Sequence, residues 1–233
     1  MKSIYISSLS VLMGISIMLV MPSGAIADSK KGDWYFAGAG GLAITSESDV
    51  TISENTGTAE GSGDYDFDNG VILSASIGKK FGDFRLEGEV SYRENDLDSL
   101  TLTSITVNGT TFLGSATATL DGDYSSLGFM ANGIYEFRNG TDFTPFLLGG
   151  VGLSRQTLEI DSVAGVNVTF DEDSTVFSYQ LGAGVAYPIL DETQIIGQYR
   201  YFGSTDPEFD DGTDIIDGEY HSHSLMIGLS FSF

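Results

Sequence analysis

The sequence predicts an all-β protein: an eight-stranded antiparallel up-and-down transmembrane β-barrel, with short turns at one end and long acidic loops at the other. Three observations carry that prediction. The last fifteen residues, Glu219–Phe233, alternate strictly between two kinds of side chain. His223, Leu225, Ile227, Leu229, Phe231 and Phe233 form one set, and Ser222, Ser224, Met226, Gly228, Ser230 and Ser232 form the other. Period-2 alternation is the mark of a strand with two unlike faces. Seven upstream segments repeat the pattern, and the connections between successive segments alternate short and long.

The first segment covers about Asp33 to Thr45, with Trp34-Tyr35-Phe36 ahead of a Gly/Ala alternation. A long loop, Ser46 to Asp68, is expected next. The second segment, Asn69 to Phe81, puts Val71, Leu73, Ala75 and Ile77 on one face. A tight turn at Gly82-Asp83 leads to the sharpest alternation in the chain. There Phe84, Leu86, Gly88, Val90 and Tyr92 oppose Arg85, Glu87, Glu89, Ser91 and Arg93. The fourth segment ends at Phe137, with Leu127, Phe129 and Tyr135 on its apolar face and Ser126, Asn132 and Glu136 on the other. A short turn at Arg138–Thr141 precedes the fifth, Phe143 to Ser154, which is glycine-rich and ambiguous in its facing. The sixth runs from Val176 to Ile189, the turn Leu190-Asp191-Glu192 follows, and the seventh runs from Thr193 to Phe202. Each segment is long enough for a tilted crossing, which takes ~9–11 residues. Only a closed barrel satisfies the backbone of strands facing lipid.

Two of the long connections carry strand signals of their own. Leu100–Val107 and Thr110–Leu120 flank Asn108-Gly109, a pair suited to a type I′ hairpin turn. Glu159–Val163 and Val166–Phe170 flank Ala164-Gly165 in the same way. Their Thr, Ser and Val content suits water better than lipid, so they are expected to prolong the strands above the membrane.

Residues 1–27 read as a cleaved secretory signal peptide. Lys2 precedes an apolar stretch, Pro22-Ser23-Gly24 breaks it, and Ala25-Ile26-Ala27 is a small-x-small cleavage pattern. The barrel domain is expected over 28–233. The chain has no Cys, 30 Gly, four Pro and a formal net charge of −23. No disulfide or thiolate chemistry is available, and a nucleic-acid partner is excluded by the missing basic footprint. No cofactor is expected. The acids gather in the long connections: Glu47–Asp68 and Asp206–Glu219 contain neither Lys nor Arg. Asp64-x-Asp66-x-Asp68 and Asp206-x-Glu208-x-Asp210 approach calcium-loop spacing. Gly falls one place late in each and Glu at position 12 is absent from both, so diffuse cation attraction is expected rather than a metal site.

Charges within the strands sit opposite the apolar face: Arg85, Glu87, Glu89, Arg93, Glu136 and Arg200. An eight-stranded lumen is just wide enough to be filled by side chains, so these six are expected to form an interior charge network. His221 and His223 share one face of the last strand while Ser222 and Ser224 share the other. That separation works against the His–Ser hydrogen bond that activates a nucleophile, so no catalytic residues are expected.

On Trp34–Gly41, Thr144–Gly152, Tyr199-Arg200-Tyr201 and the terminal Phe, the chain resembles the bacterial outer-membrane β-barrel superfamily of OmpA-type membrane domains, OmpX/Opa-like surface proteins and porin-family surface antigens. The resemblance implies an outer-membrane location and insertion by the barrel-assembly machinery, with Phe231 and Phe233 carrying the assembly signal. It implies a structural or surface-interaction role, adhesin- or antigen-like, with an extracellular or host surface partner reached through the loops. A small-solute or ion porin is the alternative, and a lipid A-modifying enzyme is a weaker one.

Overall fold

In a computed structural model, residues 33–45, 48–54, 58–210, 214–218 and 220–233 are described. The proposed signal peptide lies outside the described residues. Twelve strands are present. They are β1 (Trp34–Thr45), β2 (Ser48–Glu54), β3 (Ala59–Phe67), β4 (Gly70–Phe81), β5 (Phe84–Val107) and β6 (Thr110–Glu136) in the first half. The second half holds β7 (Thr144–Val163), β8 (Val166–Leu190), β9 (Thr193–Ser204), β10 (Glu208–Asp210), β11 (Asp214–Gly218) and β12 (His221–Ser232).

Eight of them close a ring. β1 pairs β4, pairing then runs stepwise through β5, β6, β7, β8 and β9 to β12, and β12 returns to β1 with Leu42 opposite Leu225. Every pairing is antiparallel, so the expected up-and-down barrel is present, and closure leaves no edge in the membrane. The short connections at one end are Gly82-Asp83, residues 137–143 and Asp191-Glu192. Gly82 takes φ +66°, a conformation only glycine adopts without strain.

The structure differs from the sequence reading at two of the long connections. The stretch 46–68, expected as a loop, holds the hairpin β2–β3, and β3 pairs β5 from Ala59↔Val107 to Phe67↔Leu97. The segment after β9 holds β10 and β11, and β11 pairs β2 through Ile216↔Ile52. Together with the prolonged β5, β6, β7 and β8, they carry the wall beyond the ring. Both anticipated hairpin turns form: φ is 49° and 76° at Asn108 and Gly109, and 51° and 78° at Ala164 and Gly165.

The outward face explains where the membrane sits. Leu181, Leu225, Ile227 and Val71 are 60%, 57%, 63% and 53% exposed, within a belt of Leu, Val, Ile and Phe around the ring. A water-soluble protein does not leave so much contiguous apolar surface bare. Aromatics flank the belt: Trp34, Phe81, Phe84, Tyr135 and Phe143 at the turn end, and Tyr92, Phe177, Tyr179, Tyr199 and Tyr201 at the other. On β5 the belt runs from Phe84 to Tyr92, eight residue steps (92 minus 84), or about 20 Å along the membrane normal at ~3.3 Å per residue and ~40° tilt.

Beyond Tyr92 the two faces exchange polarity while the in–out alternation of each strand continues. Along β5 the outward series Phe84, Leu86, Val90, Tyr92 gives way to Glu94, Asp96, Asp98. The inward series Arg85, Glu87, Glu89, Arg93 gives way to Asn95 and then Leu97. β6 and β7 do the same, with Asp121, Asp123, Glu159 and Asp161 outward and Tyr124, Leu120, Leu158 and Ile160 inward. The chain continues in the same strands while the solvent outside them changes from lipid to water.

Candidate functional surface and lumen

Inside the ring, small and polar inward residues alternate with apolar clusters of Ile134, Phe146, Leu148 and Ile196 and of Ile72 and Met226, and large apolar residues dominate the interior of the wall above it. All six charges singled out from sequence point inward and are buried: Arg85, Glu87, Glu89, Arg93, Glu136 and Arg200. Glu89 is the centre of the largest cluster. Both of its carboxylate oxygens accept from Arg200 Nη1 at 2.7 Å, Asn132 Nδ2 donates at 3.1 Å and Gln180 Nε2 at 3.3 Å. Arg85 pairs with Glu136 at 3.4 Å nearer the turn end. Glu87 accepts from the Tyr35 hydroxyl, and the Arg85 guanidinium lies 5.1 Å from the Tyr35 ring centroid. Arg93 is fully buried and stacks over Phe202 at 3.8 Å, using the ring face where Arg200 uses a carboxylate.

Phe202 also begins a second layer that the sequence reading missed. Val50, Tyr65, Leu97, Tyr124, Leu158, Phe209, Ile216 and Tyr220 pack with it into an apolar plug across the inside of the extended wall. Tyr124 and Tyr220 stack at 4.5 Å between centroids, and Phe67 and Phe209 meet Tyr124 edge-on at 5.9 and 6.2 Å. Tyr124 also donates to Gln156 Oε1, and burial pushes the Tyr65 phenol well above its ordinary range. A signal for this plug was present: alternation continues through Tyr65/Phe67 and Leu97/Ser99, where intervening acids gave it the look of a loop. Below the plug and among the charge clusters, a cavity of about 20 Å³ lies beside Arg85, Glu87, Ile134, Phe146, Gln198 and Arg200. It has room for about one water molecule.

The other residues named from sequence fall as follows. His221 and His223 lie in the upper aromatic belt: His223 Nδ1 is 2.6 Å from the Tyr199 hydroxyl and His221 Nδ1 is 3.0 Å from that of Tyr201. Ser222 and Ser224 are buried on the opposite face of β12, so the structure does not bring His and Ser together there. Asp64 and Asp66 are in the extended strand β3, which does not curl round an ion as a calcium loop does. Among the described residues, no group of three or more His, Asp or Glu is arranged to hold a metal ion. Phe231 and Phe233 face outward at the turn end, Phe233 stacks on Phe36 at 5.1 Å, and its amide donates to the Trp34 carbonyl at 2.9 Å.

A ring of eight antiparallel strands with a lipid-facing apolar belt is the architecture of one broad group of proteins. The family model described as "Outer membrane protein beta-barrel domain" matches residues 13–233. The chain belongs to this family. As a member of it, the protein is an integral protein of the bacterial outer membrane. Among curated relatives, it is similar to the outer membrane protein PagN of Salmonella typhimurium, 28% identical over 116 residues, covering 45% of this chain and 48% of that protein. It is similar also to a 22 kDa outer membrane protein of Rhizobium leguminosarum bv. viciae, 30% identical over 102 residues, covering 44% and 46%. The matches thus span about half the length of these curated relatives. Among solved structures, the barrel OprG of Pseudomonas aeruginosa matches with a TM-score of 0.51 at 16% identity, covering 90% of this chain and 99% of that one. That likeness is one of fold.

Proposed function

We propose that this outer-membrane barrel is a structural, surface-interaction protein, adhesin- or antigen-like and not catalytic, whose working part is the wall raised above the membrane. One observation carries the reading: the strands continue past the aromatic belt as a paired sheet around an apolar plug. On β5 the distance from Tyr92 to Val107 is fifteen steps (107 minus 92), about 40 Å along the normal at the same rise and tilt. A wall of that height presents ordered backbone and side chains well clear of the lipid headgroups. The plug and the Glu89–Arg200 layer fill the lumen beneath it, which favours a surface role over conduction. The acid-rich outer face of the wall suits a partner carrying positive charge.

The test is a deletion of residues 101–118, closed by a short turn, in cells that display the protein. Loss of binding to host cells or matrix, with the barrel still heat-modifiable on a gel, is the expected result. Unchanged binding overturns the proposal. Reproducible single-channel conductance of the purified barrel in planar bilayers would favour the porin reading instead. We also propose that the barrel-assembly machinery inserts the chain by reading the terminal strand through Phe231 and Phe233, which the structure leaves outward and accessible.

A further inference from the structure

Resting on the surface-interaction reading, we propose that the free edge of β6, Thr110 to Ala118, is the docking line. The structure points to an extended polypeptide segment with basic flanks as its partner, added to the wall as one more antiparallel strand.

The pairing of β6 is lopsided at its tip. On one side β5 stays with it up to Val107↔Thr110. On the other side the pairing with β7 begins at Leu120↔Val163. Between those levels, no strand among the described residues pairs with β6 on its β7 side. The direction of the free groups follows from one hydrogen bond. The Thr119 carbonyl accepts from the Ala164 amide at 2.9 Å, so the polar backbone groups of Thr119 point toward β7. Along a strand the polar groups of every second residue point the same way. The N–H and C=O of Thr117 therefore point in that direction too, past the end of β7.

Open strand edges are ordinarily protected by charge, proline, bulges or a cover. The other free lines of this wall follow that rule. β8 pairs β9 only from Ser178↔Ser204, and above that level it carries Asp171-Glu172-Asp173. The short β10 is Glu208-Phe209-Asp210. β7 is paired on both sides as far as Val163. The β6 tip, Thr-Thr-Phe-Leu-Gly-Ser-Ala-Thr-Ala from Thr110 to Ala118, has no charge and no proline; its pairing with β5 shifts register between Leu113 and Ala116, which leaves Thr117 and Ala118 regular beside the end of β7, and all of Thr110–Thr117 is exposed. Phe112 and Leu113, 62% and 86% exposed, stand beside the edge as apolar holds for an incoming strand. Strand addition draws affinity from such backbone groups and specificity from alternate side chains.

Charge selects the partner. Next to the bare edge, the outer face of β5, β6 and β7 carries Asp96, Asp98, Asp121, Asp123 and Asp161. A strand added here has the end beside Ala118 near those carboxylates. Basic flanks are attracted and acidic ones repelled, whereas a sulfated polysaccharide is disfavoured throughout.

The full-length barrel, reconstituted in lipid nanodiscs, provides the test. The probe is a short synthetic peptide of alternating Thr and Val with lysines at both ends, compared with the same peptide ending in glutamates. The lysine form is expected to bind the wild type and the glutamate form to bind at least tenfold more weakly. Thr117→Pro removes an outward N–H and is expected to weaken the lysine peptide by roughly threefold to tenfold or more. Thr117→Ala keeps that N–H and is expected to stay within about twofold of wild type. Unchanged heat-modifiability of both variants shows the barrel intact. Equal peptide affinity for Thr117→Pro and wild type, or preference for the glutamate form, overturns the edge proposal. So does heparin binding at the tip in place of the peptide. Those results leave the surface role standing if deletion of 101–118 still abolishes adhesion. Adhesion that survives the deletion removes the surface role itself.

Discussion

Glu89 is the residue on which the membrane-embedded lumen depends most. Its carboxylate accepts from Arg200, Asn132 and Gln180 within 3.3 Å, and both it and Arg200 are almost wholly buried. Unit charges about 4 Å apart attract by about 4 kcal/mol at an effective dielectric constant of ~20. Desolvating the two ions offsets much of that attraction, so the pair as a whole adds little net stability. Removing one member is another matter. Glu89→Gln leaves the Arg200 guanidinium buried without a counter-charge and turns an amide NH₂ toward groups that are themselves donors. The expected cost is about 3–5 kcal/mol. Arg200→Met should cost a similar amount by stranding the carboxylate. The double variant Glu89→Met/Arg200→Met should be less destabilised than either single variant, because burying apolar groups in place of an ion pair is near neutral. Reversible urea unfolding in lipid vesicles, read by the intrinsic fluorescence of Trp34 and the tyrosines, measures the cycle. Additive single effects, or a Glu89→Gln cost below about 1 kcal/mol, would refute the paired-network account of the lumen.

Three further outcomes follow from local geometry. Asp123 sits above the lipid belt, and burial, then a hydrogen bond with Asp96 and the charges of Asp96, Glu94 and Glu159, push its pKa up to about 6. A carboxyl raised in the folded state binds its proton more tightly there than when unfolded, so stability should fall as pH rises from about 4 to about 6. Thermal unfolding against pH should show that fall in the wild type and a flatter profile in Asp123→Asn. At the β7–β8 turn, Ala164 holds φ 51°, costly for any residue with a Cβ. Ala164→Gly should stabilise the tip by about 0.5–1 kcal/mol after the added chain entropy is counted, read as slower amide exchange at Val163 and Val166. Removal of the Phe233 ring by Phe233→Ala should lower the heat-modifiable fraction in outer-membrane preparations several-fold, while the variant refolded in detergent still shifts on the gel.

The parts of the fold that were legible are those where lipid acts as solvent. A strand between lipid and a filled lumen must alternate, and β5 and β12 do so without a break from Phe84 to Arg93 and from Ser222 to Phe233. The hairpin turns were legible because Asn108-Gly109 and Gly165 accept positive φ at little cost. β2, β3, β10 and β11 were not, because Val50, Tyr65, Phe209 and Ile216 stand in stretches dominated by Asp, Glu, Ser, Thr and Gly, a composition shared with solvated loops. In the lumen, sequence parity identified which charges face inward but not their partners. Arg200 meets Glu89 from across the ring, at a sequence separation of 111 residues, and Arg93 meets Phe202 rather than any acid. The plug was hidden for the same reason as the extra strands: its aromatics come from segments whose outward halves look like acidic loop.

The exchange of polarity at the Tyr92 level joins these observations into one argument about function. A barrel that only had to sit in the membrane could end its strands at the aromatic belt and close them with flexible loops. Here the inward face above the belt is rebuilt from Tyr65, Tyr124, Leu158, Phe209 and Tyr220. That apolar interior is what allows the wall to persist in water without the membrane's support, since paired strands with one buried face are stable where isolated hairpins are marginal. The same interior fills the space inside the wall. On the proposed surface role, rigid extension asks the opposite of the inner face from conduction, and the apolar residues above the belt suit extension. Once the wall is rigid, an unpaired edge at its tip is held in the extended conformation that a partner strand needs, and the ordering entropy of that edge is already spent before any partner arrives.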